Sequence, residues 1–224
     1  FVEHIELTEN HRIIARLPIS TYWTTNYDQL IEKALVEANR RPDVKHDIEQ
    51  IFNTQPKRDA VVFKMHGDVQ FPNRAILTKD QYEQYYFTHE DFISALTGDL
   101  ITKTFLFIGF SFTDPNLDYV LSRINVRHHR RRRRHYCFVK RPELGDAQCE
   151  TQDALDYSKK KLVFRFGELR RYGIHPIEIE TYSQITDILQ EIENRFRKRR
   201  IFISGSAENY GDWSREAAQS FIHS

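Results

Sequence analysis

Residues 104–118 read Thr104-Phe105-Leu106-Phe107-Ile108-Gly109-Phe110-Ser111-Phe112-Thr113-Asp114-Pro115-Asn116-Leu117-Asp118. An apolar run of strand length stops at a glycine, and an Asp-Pro pair then opens a helix. Asp suits the N-cap and Pro the first helical position. Leu117, Val120, Leu121 and Ile124 continue that helix on one stripe. The run from Thr104 to Ile108 is apolar throughout, as in a parallel strand covered on both faces. Strand, polar turn and helix in this order are the repeating unit of an α/β fold.

The same unit recurs along the chain. Thr21-Tyr22-Trp23-Thr24 is β-branched and aromatic and predicts a strand, with a helix over Asp28 to Ala38. Ala60 to Met65 predicts a buried strand ending at His66-Gly67-Asp68, and Ala75-Ile76-Leu77 a short one. Thr78 with Gln81 three residues on forms a capping box. A helix follows over Ile93 to Ile101, then strands at Tyr136 to Val139 and Ile174 to Ile179, with polar, helix-prone sequence between Pro142 and Gly173. Ser183 caps a helix with Ile185, Ile188, Leu189, Ile192 and Phe196 on one face, and Arg200 to Ile203 opens a further strand. The expected architecture is α/β: one open, mostly parallel sheet with helices on both faces.

Composition narrows the function classes. Lys+Arg number 33 against 32 Asp+Glu, a net charge of +1, which gives no argument for a nucleic-acid or membrane partner. The basic run Arg127 to His135 reads as a solvated loop, with nucleic-acid contact as the alternative. No apolar run reaches membrane-spanning length. Cys137 and Cys149 are the only cysteines, too few for a four-cysteine zinc site, and a cytoplasmic setting is the default. The first residue is Phe1 and the first glycine is Gly67, so the chain is expected to be a fragment cut at both ends, inactive by itself.

In open parallel sheets, ligands bind beyond the carboxyl ends of the strands. Three polar clusters sit at such ends: Thr25-Asn26-Tyr27-Asp28, His66-Gly67-Asp68 and Gly109 to Asp114. Asn26 offers an amide, Asp28 a carboxylate able to hold ribose hydroxyls, and His66 a base that works near neutral pH. Gly109 allows close backbone approach, and Ser111 adds a hydroxyl ahead of a helix N-terminus. Together they describe a nucleotide site with one general base. Singly, each can be an ordinary turn, cap or structural histidine.

These motifs, Thr24 to Asp28, Lys64 to Asp68 and Phe107 to Asn116, resemble those of sirtuin-type bacterial antiphage defence proteins of the Thoeris kind, as do Leu7 to Leu35 and Ile201 to Gly211. The resemblance implies a sirtuin-like, Rossmann-type NAD-binding domain over residues 1–198 and the start of an α/β SLOG sensing domain over 199–224. It implies hydrolysis of NAD to nicotinamide and ADP-ribose, with His66 and Asn26 catalytic and Asn26, Asp28, Gly109 and Ser111 binding NAD. It further implies a cyclic ADP-ribose-type signal, made by a TIR-domain partner and held at Ser204, Gly205 and Ser206, and a homo-oligomer. No metal is expected. The family's Gly-Ala-Gly-x-Ser phosphate loop is expected before Phe1. A non-catalytic nucleotide-sensing or nucleic-acid-binding module is the alternative, and a protein deacylase is disfavoured by the missing zinc cysteines.

Overall fold

In a computed structural model, residues 6–112, 114–128, 133–147 and 149–203 are described. The elements run α1 (Glu9–Arg16), β1 (Thr21–Thr24), α2 (Leu30–Glu37), β2 (Pro42–Lys45), α3 (Ile48–Ile51), β3 (Ala60–Lys64), a 3-10 turn (Pro72–Arg74), α4 (Lys79–Thr88), α5 (Glu90–Thr102), β4 (Leu106–Phe107), α6 (Pro115–His128), β5 (His135–Lys140), α7 (Gln152–Arg171), β6 (Ile174–Ile179) and α8 (Ser183–Ile203). All strand pairs are parallel.

The strands form two sheets of three, ordered β1-β3-β2 and β4-β5-β6, rather than the single expected sheet. Among the described residues no ladder joins β1 to β4. Side chains bridge the halves instead: Trp23 Nε1 donates to Asp99 at 2.9 Å, and Lys103 Nζ to Thr21 Oγ1 at 2.9 Å.

Alternation of side chains across the strands sorts the core. Ala60 and Val62 of β3 and Tyr22 of β1 face α1 and α2, meeting Ala15, Ala34 and Leu35. Phe63 and Trp23 point the other way; their rings stack at 4.1 Å and pack with Phe92 and Leu96 of α5. In the second sheet Cys137 and Val139 face α6 and α7, while Phe138 and Ile179 meet Ile185 and Leu189 of α8 and Ile13 of α1. Helices therefore cover both faces.

Several expectations change. Residues 75–77 are not a strand: the Ile76 amide donates to the His66 carbonyl, so the segment braces the turn after β3. β4 is only two residues long, with Leu106 exposed. Residues 200–203 continue α8 as helix, where their β-branched and aromatic sequence predicted a strand. On α8, Ile192 is exposed and Glu193 is buried in its place, held by Arg16 of α1 at 2.7 Å and by Arg197.

His135 ties the short β4 to β5, because the Phe105 amide donates to its Nδ1 at 3.2 Å. Burial, with Arg133 and His175 adding to it, pushes its pKa from 6.5 down to about 4. The native state thus binds fewer protons than the unfolded chain between those values, and stability must fall as pH drops through that window. Buried His46 and half-buried His11 and His89 act in the same sense. We expect the urea midpoint to decline from pH 6.5 toward pH 4, and His135→Asn, which keeps an acceptor for Phe105, to flatten that decline. An unchanged slope in the variant would remove His135 from this role.

Candidate active site

The strand ends converge through buried polar contacts. After β1 the chain turns at Asn26, whose backbone N–H donates to Thr24 Oγ1, and Asp28 Oδ1 accepts the Leu30 backbone N–H to start α2. Beneath this turn lies the ammonium of Lys64, fully buried on β3. It donates to the carbonyls of Tyr27 and Asp28 and pairs with Asp68 at 2.6 Å and Glu32 at 3.0 Å. The Val69 amide returns to the Tyr27 carbonyl at 2.9 Å. The Asn26 turn and the His66 turn are thus locked together.

Gly67 makes the second turn possible. Its φ is +97°, and a Cβ there would stand 2.9 Å from the Ala75 Cα, so no side chain fits. The turn carries His66 into a buried position, 4% exposed. Its Nδ1 meets the Tyr82 hydroxyl at 3.2 Å, and its Nε2 lies 3.0 Å from Asp114 Oδ2. That second approach is a charge contact, off the line of a hydrogen bond.

The third cluster supplies Asp114. Gly109 and Phe112 both take positive φ, +66° and +58°. For a bulky residue such as Phe112 this costs about 1–3 kcal/mol, strain of the kind that gathers at functional sites. Beyond it, Asp114 Oδ1 accepts the Asn116 and Leu117 amides as N-cap of α6, leaving Oδ2 for His66. Burial would raise the Asp114 carboxyl, but the His66 contact and the two amides outweigh it and hold its pKa below the usual carboxylate value. Tyr82 and Tyr85 have hydroxyl pKa values raised by burial, and the neighbouring Tyr27 adds to the rise at Tyr82.

Tyr27, Tyr82, His66 and Asp114 therefore form one chain of contacts across all three clusters. Asn26, Gly109 and Ser111 are exposed around it and Asp28 is half-buried, so a ligand can reach them. The Ser111 carbonyl accepts from Arg165 of α7 at 2.8 Å, fixing the loop from the other side. Ser204, Gly205 and Ser206 lie outside the described residues. Sequence reading missed Lys64, Tyr82 and the second role of Asp114. Lys64 did leave a signal: it falls on the same alternate positions as buried Ala60 and Val62.

A parallel α/β core with helices on both faces and an Asn-x-Asp turn beside a buried His-Gly define a SIR2-like domain. The SIR2-like domain family matches residues 20–177, and the chain belongs to it. The Sir2- and TIR-associating SLOG family matches residues 184–224. Proteins named NAD(+) hydrolase ThsA are similar throughout: that of Bacillus cereus (strain MSX-D12) is 51% identical over 100% of this chain and 46% of its own length. Those of Acinetobacter baumannii (strain 532279) and Enterococcus faecium are 46% and 44% identical, each over 97% of this chain and 45% and 46% of their own lengths. The chain spans about half the length of these curated relatives.

Replacing Lys64 with Met leaves Asp68 and Glu32 buried without their cation. Breaking such a pair costs about 3–5 kcal/mol. Urea unfolding of Lys64→Met in the full-length protein should show a loss of that order. A loss below about 1 kcal/mol would mean that the carboxylates find other partners.

Proposed function

We propose that the protein hydrolyses NAD to nicotinamide and ADP-ribose. The observation that carries this reading is the partly buried chain Tyr27–Tyr82–His66–Asp114, which gathers three strand-end motifs around a single buried histidine. The NAD(+) hydrolase names of the relatives support it. In the reaction the bond between the ribose C1′ and the nicotinamide nitrogen breaks, and the electron pair leaves with nicotinamide. Water forms the new bond to C1′, and His66 takes its proton as general base. Asn26, exposed beside the ribose position, orients the sugar or the water. Asp28 supports the ribose, and Gly109 with Ser111 lines the nucleotide cleft.

Control is the second part of the proposal. Residues from about 199 onward begin a SLOG domain that binds a cyclic ADP-ribose-type nucleotide from a TIR-domain partner, with Ser204, Gly205 and Ser206 in its site. The match of residues 184–224 to a Sir2- and TIR-associating family supports this. The setting is antiphage defence in the cytoplasm, by a homo-oligomer.

NAD consumption by the full-length protein, with and without cyclic ADP-ribose isomers, tests the reading. His66→Ala should remain folded and lose about a hundredfold or more in turnover. Asn26→Ala should lower the chemical rate more than NAD affinity. Absence of turnover under every condition, or near-normal turnover in folded His66→Ala, would reject it.

A further inference from the structure

Asp114 divides its carboxylate between two tasks. Oδ1 caps α6 through the Asn116 and Leu117 amides at 2.9 and 3.1 Å. Oδ2 stands 3.0 Å from Nε2 of His66, with both side chains almost wholly buried. A cap alone would be served equally by Asn, which ranks with Asp at this position. The His66 ring is framed by other ionisable groups as well: Tyr82, Tyr85 and His89 from α4 and its C-terminal end. Among the described residues, only Tyr82 and Asp114 reach its nitrogens.

We infer that Asp114 is a positioning residue for His66: its carboxylate holds the ring proton on Nε2 and so makes Nδ1 the nitrogen that accepts a proton in the reaction. A carboxylate is acceptor-only when ionised, and at 3.0 Å its charge favours a proton on the facing nitrogen even off the line of a hydrogen bond. The low pKa of Asp114 keeps it ionised through the neutral range. Nδ1 then accepts from the Tyr82 hydroxyl, and in the reaction that hydroxyl passes its proton to Nδ1 as it takes one from the attacking water. Phe112, two residues before Asp114, takes a positive φ. This inference rests on the reading of His66 as general base.

The test uses full-length protein and two readouts. The ring 15N shifts of His66, assigned by their loss in His66→Gln, report its tautomer in mildly alkaline solution, and they do so whether or not NAD is hydrolysed. The wild type should carry the proton on Nε2; Asp114→Asn should lose that preference while melting at the wild-type temperature, because Asn still caps α6. With NAD, Asp114→Asn should lose about tenfold or more in kcat with KM within about twofold. Asp114→Ala should lose the cap as well and melt lower. A wild-type His66 protonated on Nδ1 would overturn the inference without any variant. So would an Asp114→Asn protein that matches wild type in tautomer and kcat, since that outcome leaves Asp114 only a cap. A wild type with the expected tautomer but no NAD turnover would instead reject the hydrolase reading and leave the Asp114–His66 pairing supported.

Discussion

The ammonium of Lys64 is the point on which the site depends. It is buried with three acceptors, the Tyr27 and Asp28 carbonyls and Asp68, and a charge contact to Glu32, and these four groups belong to three segments: the Asn26 turn, α2 and the His66 turn. A buried charge is tolerated only when it is paired and hydrogen-bonded on all sides, so each segment is held where the lysine needs it. Burial raises the Glu32 carboxyl, and Lys64 works against that rise. The arrangement converts a desolvation problem into a rigid junction between two strand ends.

A second junction connects the first to the rest of the molecule. His66 reaches Asp114 at the start of α6, and α6 with α7 covers the second sheet. Because no ladder joins the two sheets among the described residues, this contact and the Trp23–Asp99 bond align them. On the opposite face α8 packs with α1 through Ile13 and Leu189, and Arg16 clasps Glu193. Helix α8 begins just before the stretch matched by the SLOG family, so that stretch starts on the sheet of the SIR2-like domain. Motion of α8 would pull on α1, which packs on α2, the helix that follows the Asn26 turn.

Much of this was legible because local chemistry and tertiary role agreed. Asp114-Pro115 starts a helix, β-branched and aromatic runs form β1, β3, β5 and β6, and the polar clusters fall at strand ends as parallel topology requires. Where they disagreed, tertiary pairing decided. β2 begins with Pro42 and alternates Asp43 with Lys45, a poor strand by propensity; it is buried because Asp43 pairs with Lys45 and Arg58 at 2.7 Å each. Ala75 to Leu77 has strand composition, yet its place is to brace Gly67, where only a bare backbone fits. Asp114 read as a cap because one carboxylate oxygen satisfies that pattern. Nothing in sequence spacing tells where the other oxygen points. Lys64 was hidden for the same reason, since its partners come from positions up to 37 residues away.

The central claim is that one composite site lies across the three strand ends. A structure of the full-length protein with a non-hydrolysable NAD analogue tests it most directly. The account predicts the nicotinamide ribose C1′ between Asn26 and His66, with an attacking water about 3–3.5 Å from C1′ and the nucleotide running along Gly109 and Ser111. An analogue bound elsewhere, out of reach of Asn26 and His66, would contradict it.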